Sequence, residues 1–120
     1  MNADRHIFEA YGISLPAGAT IHGIEVRLDA YTDNSNNAQA MCVEISWNNG
    51  ANWTAAQVTP QLNDVLSTYT LGSPTDTWGR IWIANQLANG VFRIRITNTA
   101  ANQDRDFYLD WVAVQVTYSP

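Results

Sequence analysis

The stretch Ile24-Glu25-Val26-Arg27-Leu28-Asp29-Ala30-Tyr31 decides the fold class of this chain, because apolar and polar residues alternate along it. A period of two places all the apolar side chains on one side of an extended strand. The same alternation recurs in three further segments: Met41–Trp47, Phe92–Thr97 and Trp111–Tyr118. Each segment is predicted to be a strand with one face on a core and one face toward solvent.

Shorter apolar segments lie between these four. His6–Ile13, Leu66–Leu71 and Ile81–Ala84 are predicted strands, and Ala84–Ala88 is predicted to form a single helical turn. Runs of Asn, Gly and Pro separate the segments and indicate turns. Seven or eight short strands in 120 residues predict one all-β domain over residues 1–120. We expect an antiparallel β-sandwich of jelly-roll or immunoglobulin-like type.

The composition limits the possible partners. The net charge is −5, and all 6 basic residues are Arg. An acidic chain argues against binding to nucleic acid or to an anionic membrane surface. No apolar run reaches the roughly 18 residues of a membrane span, and Met1–Ala10 holds no signal-peptide core. The lone Cys42 cannot form an internal disulfide. We expect an extracellular or virion location.

One local motif is specific. Ser46-Trp47-Asn48-Asn49-Gly50-Ala51-Asn52-Trp53 looks like an Asp-box hairpin, with Asn48 at the usual Asp position. An Asn side chain can accept hydrogen bonds from the turn backbone, and Gly50 can adopt a positive φ. Ser46, Asn48, Gly50 and Trp53 are therefore predicted to form a structural hairpin, with Trp53 as a largely buried plug.

The aromatic residues leave two interpretations open. Trp47 and Trp53 are assigned to the core, and Trp78 and Trp82 to positions around a short strand. Trp111 is opposite in phase to Val112, Val114 and Val116. Tyr31 and Tyr108 are further candidates for exposed aromatics, although Tyr108 shares the phase of Val112. Trp111 and Tyr31 are therefore the candidates for an exposed glycan-binding platform. Packing of these rings at the core or at a sheet edge is the alternative.

Oxygen-bearing side chains suggest possible calcium sites. Asp104, Asp106 and Asp110 could hold Ca²⁺ as in some jelly rolls, with Arg105 as a competing partner. Asp33, Ser35 and Asn37 have the spacing of an EF-type loop, with Glu44 at its twelfth position. Ala38 occupies the place of the required Gly, however. Solvated loops are the alternative for both groups, and no other cofactor is expected.

The charged residues and histidines give little support for catalysis. Arg27, between Glu25 and Asp29, is expected to form a charge ladder with Arg93 and Arg95 if their strands pair. His22 shares the face of Ile24 by alternation and is predicted to be a partly buried sheet residue rather than a base. The sequence lacks a phosphate-binding glycine loop and a His/Cys metal cluster. We therefore expect a protein that is not an enzyme.

Several blocks together resemble a known module. They are Tyr11–Val26, the Asp-box-like hairpin, Leu71–Arg80 and Asp110–Tyr118. The set is similar to a β-sandwich module that recurs in bacterial surface and secreted proteins and in phage structural proteins. The resemblance covers about Phe8–Tyr118 and implies no catalytic residue. It implies that Trp78, Trp82, Trp111 and Asp110 are framework positions. Members of the family often carry extra sequence before the first strand.

These observations predict a non-catalytic structural or attachment module of a phage particle or a bacterial extracellular protein. The alternative is a carbohydrate-binding module of a secreted glycoside hydrolase. The expected partners are protein subunits or other domains of a parent assembly, and possibly a glycan. The chain has no Lys, and His6–Ile13 carries only Glu9 as a charge. This strand region or the edge beside it is therefore predicted to pair with another chain, by strand addition or a packed subunit contact. A monomer in which a loop covers the edge is the alternative.

Overall fold

The computed structural model describes residues 5–9, 13, 15–32, 39–88, 91–99 and 107–119. Its seven strands are β1 Arg5–Glu9, β2 Thr20–Thr32, β3 Ala40–Ser46, β4 Gln57–Val58, β5 Ser67–Gly72, β6 Arg93–Thr99 and β7 Phe107–Ser119. Sheet A has the order β1-β6-β3-β4, and sheet B has the order β5-β2-β7. All neighbouring strands are antiparallel. The two sheets pack face to face, which confirms the predicted all-β sandwich.

The chain crosses between the sheets at almost every connection. Among the seven strands of the described residues, only β3 and β4 are consecutive in the chain and lie in the same sheet. In an immunoglobulin fold, three pairs of consecutive strands stay within one sheet. The repeated crossing seen here is the pattern of a jelly roll.

The core lies between the sheets and follows the predicted alternation. Ile24, Val26 and Leu28 of β2 are completely buried, and so are Ile94 and Ile96 of β6. Strand β7 differs, because its inward-facing valines pack on this core while remaining partly exposed. The core side chains are thus completely buried on β2 and partly exposed on β7.

Two irregularities between β2 and β7 overturn predictions that assumed unbroken alternation. One lies between Ile21 and Gly23, and it turns His22 outward, where its Nε2 lies 2.8 Å from the Ser119 hydroxyl. The predicted inward position of His22 is therefore wrong. The second irregularity leaves Asp110 without a partner in a bulge. The side chain of Tyr108 therefore faces outward, on the opposite side of the sheet from Val112.

The segment after β5 is a loop and not the predicted strand Ile81–Ala84. Trp78 and Trp82 are buried in it, and each indole N–H donates to a backbone carbonyl at 2.8 Å, on Ile24 and Thr77 respectively. Ile81 lies between them and is 89% exposed. The predicted helical turn is confirmed as a 3₁₀ turn over Ala84–Leu87.

The bounds of the other short strands also differ from the predictions. The predicted first strand, His6–Ile13, is observed over Arg5–Glu9, and the predicted Leu66–Leu71 over Ser67–Gly72. Strand β4 was not predicted, because two residues are too few to show an alternation.

Candidate functional site

The strands of sheet B place a mixed aromatic and polar surface on the side away from the core. We name this surface the outer B face and define it by Glu25, Arg27, Thr70, Trp111 and Gln115. The strand register brings these five residues together. Arg27 of β2 pairs with Thr70 of β5, and Glu25 of β2 pairs with Gln115 of β7. Trp111 lies four residues before Gln115 on the same strand. Alternation keeps all five on one face.

A shallow cavity lies on the outer B face. Its volume is about 330 Å³, and Ala113 forms part of its wall between Trp111 and Gln115. Because alanine is small, the larger side chains on both sides stand above it. Trp111 is 50% exposed, as its phase in the sequence predicted. The outer B face therefore presents an open indole beside polar groups.

Arg27 of the outer B face lies beside the indole of Trp111. The guanidinium carbon of Arg27 lies 5.0 Å from the centre of the Trp111 ring, a cation–π distance. Arg27 Nε also lies 3.4 Å from a carboxylate oxygen of Asp29, which accepts a 2.7 Å hydrogen bond from the Thr68 hydroxyl. Arg27 is thereby oriented beside the ring.

The second predicted glycan-binding residue, Tyr31, lies further along the same side of sheet B. Its ring stacks on Tyr108, with ring centres 4.6 Å apart. The structure thus brings Tyr31 and Trp111 to one side of the sheet but occupies one face of the Tyr31 ring. The sequence also makes Tyr108 a candidate for an exposed aromatic, although alternation places it with Val112. The bulge at Asp110 reverses its direction and exposes it. The role of Tyr31 and Trp111 in glycan binding stays a prediction.

The Asp-box-like hairpin forms as a network of local hydrogen bonds. The buried Ser46 hydroxyl accepts from the backbone N–H groups of Asn48 and Gly50, at 3.3 and 2.8 Å. Asn48 Oδ1 accepts from the Ser46 hydroxyl and from the Asn52 N–H, at 3.1 and 2.8 Å. Gly50 has a φ of +86°. These bonds satisfy the N–H groups of Asn48, Gly50 and Asn52 within the turn. The Asn49 N–H instead donates to the carbonyl oxygen of Val91 at 2.9 Å.

Trp53 does not occupy the predicted core position. It is only partly buried, and the guanidinium carbon of Arg95 lies 4.3 Å from its ring centre. Arg95 pairs with Ile7 and Glu44 on the outer side of sheet A. The Trp53 plug therefore closes the hairpin against the outside of sheet A, away from the core.

The expected charge ladder between Arg27 and the arginines of β6 does not form. Arg27 belongs to sheet B, whereas Arg93 and Arg95 belong to sheet A. Arg95 instead forms two hydrogen bonds to the Glu44 carboxylate, at 3.0 and 2.9 Å.

The predicted calcium sites fall largely outside the described residues. Asp104 and Asp106 lie there, as do Asp33, Ser35 and Asn37. Asp110 is exposed in the bulge of β7, and Glu44 is bound to Arg95. Within residues 5–9, 13, 15–32, 39–88, 91–99 and 107–119, no group of three or more His, Cys, Asp or Glu side chains is placed to hold a metal ion.

Two titratable groups are perturbed by burial. Desolvation raises the pKa of the Cys42 thiol, and the nearby Glu44 carboxylate raises it further. Desolvation lowers the pKa of Arg80, whose guanidinium carbon lies 3.9 Å from the ring centre of Trp47 and 4.9 Å from that of Trp82. Cys42 is therefore a protonated thiol near neutral pH, and the Arg80 guanidinium contacts two aromatic rings at cation–π distance.

The part of the chain that the structure describes contains no helix long and apolar enough to cross a membrane. Comparison of the chain with protein-family models, with curated proteins and with solved structures finds no match.

Proposed function

We propose that this chain is a non-catalytic attachment module, as found on phage particles and bacterial extracellular proteins, and that the outer B face is its binding surface. The exposed indole of Trp111 beside Arg27 carries the proposal. Exposed aromatic and arginine side chains dominate the energetics of many binding surfaces. These two lie on paired strands, so they are held in place before a ligand arrives.

Binding to intact bacterial cells tests the attachment function. We expect the fluorescently labelled chain to bind a panel of cells saturably and Trp111→Ala to weaken binding at least about tenfold, the effect of losing roughly 1.4 kcal/mol. Ile81→Ala is the matched control, because Ile81 is an exposed apolar residue of a loop outside the outer B face. Equal binding by wild type and Trp111→Ala would exclude the outer B face as the attachment surface.

Carbohydrate binding is the second candidate function, and the composition of the shallow cavity favours it. Trp111 supplies a flat apolar face, while Glu25, Arg27, Thr70 and Gln115 supply donors and acceptors around it. Sugar rings present apolar C–H faces and hydroxyl edges, so they match this combination. The outer B face would then act as the glycan platform of a carbohydrate-binding module.

A glycan array with wild type, Trp111→Ala and Ile81→Ala separates the two candidates. Carbohydrate binding predicts glycan signals that are lost in Trp111→Ala and kept in Ile81→Ala, with all three chains folded by circular dichroism. Attachment to a protein receptor predicts cell binding without any glycan signal, and prior protease treatment of the cells should abolish it.

A further inference from the structure

The two sheets differ in width by one strand. In the described part of the chain, sheet A has four strands and sheet B has three. The sheets are aligned where β4 meets β5, since the Gln57 side-chain oxygen accepts the Gly72 N–H at 3.1 Å. On the opposite side, sheet B ends at β7, whereas sheet A continues from β6 to β1. The result is a step, one strand wide, beside β7 and facing β1.

The outer edge of β7 has the properties of a pairing surface. Among the described residues β7 pairs with β2 alone, so one row of its backbone N–H and C=O groups lacks a partner strand. Free edges in natural proteins are usually protected by Lys, Pro or short length. Strand β7 is 13 residues long, contains neither Lys nor Pro, and has Asp110 as its one charged residue. Val112, Val114 and Val116 next to this edge remain partly exposed.

A cavity opens at the same step. It has a volume of about 480 Å³ and lies between Phe8 of β1 and Tyr108–Asp110 of β7. Asn98 lines it, is only 8% exposed, and has a buried Oδ1 without a hydrogen-bond partner. Buried acceptors are normally satisfied. A side chain that enters this cavity and donates to Asn98 would satisfy it while its apolar part contacts Phe8.

A second copy of the chain does not fit this step. Two β7 edges pair antiparallel about a two-fold axis perpendicular to sheet B. Because sheet A extends one strand beyond β7, this symmetry places β1 of each copy in the space that β6 of the other copy occupies. Each copy also carries a net charge of −5. A single extended segment matches the width of the step, and a basic residue in it would complement Asp110.

We therefore propose that β7 accepts an extended segment of a partner chain, which adds a fourth strand to sheet B. Alternate apolar side chains of the segment cover Phe8 and the β7 valines, and a polar side chain donates to Asn98. Main-chain hydrogen bonds supply affinity in this mode of binding, and alternate side chains supply specificity. The edge of β7 is a different surface from the outer B face, so strand addition does not depend on the attachment function.

Amide hydrogen exchange measured by NMR tests strand addition directly. The probe is the synthetic peptide acetyl-Thr-Val-Thr-Val-Arg-Val-Thr-Asn-Thr-amide, added up to about 1 mM. Its Asn takes an inward position in line with the Val residues, so that its amide can donate to Asn98. We expect the exchange of alternate β7 amides, those that point away from β2, to slow at least about tenfold. The control peptide has Pro in place of each Val, because Pro cannot donate to a strand ladder. It should leave the exchange unchanged.

A pair of variants tests which edge is used. Val114→Lys places a charge in the inward row at the β7 edge and should abolish the slowing, whereas Val58→Lys on β4 at the opposite edge should retain it. If circular dichroism shows that Val114→Lys is unfolded, the comparison of the Val peptide with the Pro peptide tests the proposal instead. Unchanged exchange with the Val peptide, or equal slowing by both peptides, would overturn the proposal. Slow exchange of these amides before any peptide is added, together with a doubled mass in light scattering, would assign the edge to a second copy instead.

Discussion

The indole Nε1 of Trp78 donates a 2.8 Å hydrogen bond to the carbonyl oxygen of Ile24, 54 residues earlier in the chain. The bond attaches the loop after β5 to the centre of sheet B. Both groups are buried, so neither can turn to water if the other is removed. The loop that contains two of the five tryptophans is therefore part of the framework.

Trp78→Phe should lower the free energy of unfolding by about 2–3 kcal/mol, because it removes this donor and leaves a small cavity. Urea denaturation measures the loss. Trp111→Phe is the matched control on the exposed outer B face and should change stability by less than about 0.5 kcal/mol. Equal losses for the two variants would show that the Trp78 contact does not stabilise the fold.

Gly72→Ala should be far more destabilising than Gly79→Ala, although both glycines have a positive φ, +84° and +80°. A Cβ at Gly72 would overlap the carbonyl oxygen of Ile24, whereas a Cβ at Gly79 would meet nothing within 4 Å. We expect about 1–2 kcal/mol for Gly79→Ala from backbone conformation alone. For Gly72→Ala we expect about 3 kcal/mol or more. Thermal or urea denaturation measures the stability of both variants. Equal losses of stability for the two variants would contradict this explanation.

Trp53→Ala should reduce stability by about 1–3 kcal/mol, less than a core tryptophan, because the ring is partly exposed and packs under Arg95. Trp53→Phe retains a ring beneath the guanidinium and should recover most of the loss. Both values come from urea denaturation. A loss above about 4 kcal/mol for Trp53→Ala would indicate core packing after all.

Cys42 should react slowly with iodoacetamide at neutral pH. Its pKa is raised first by desolvation and then by Glu44, so the thiolate, which is the reactive form, is depleted in the folded chain. The rate should rise as the pH increases into the alkaline range and should do so at higher pH than for the same chain in urea. Glu44→Gln should increase the folded-state rate at pH 8. Identical pH profiles for folded and unfolded chains would contradict the raised pKa.

Alternation predicted β2, β3 and β6 well, because each strand is long enough to show its period and each has one buried face. It failed where a bulge changes the direction of side chains, as at His22 and Tyr108. The position of a bulge depends on how two strands separated in the sequence fit together. A pattern read along one strand contains no such information.

The outer B face was only partly predictable for a related reason. The exposure of Trp111 follows from its phase within β7, and the structure confirms it. The neighbours of Trp111 do not follow from its phase in the sequence. Arg27 lies beside Trp111 because β2 and β7 pair in one particular register. The expected ladder of Arg27 with Arg93 and Arg95 failed because alternation does not assign strands to sheets.

The pairing of β2 with β7 also determines when this chain can fold. His22 and Ser119, which meet at one end of the pair, are separated by 97 residues, so a very large loop must close before the ladder forms. Such non-local pairing slows folding. On the ribosome, β2 stays without one of its two neighbours until β7 has emerged, and the backbone edge of β2 on that side is open to other chains during that interval. The side-chain hydrogen bonds of the Ser46–Asn52 turn join residues within it and can form while synthesis continues, whereas the bond from the Asn49 N–H to Val91 forms later.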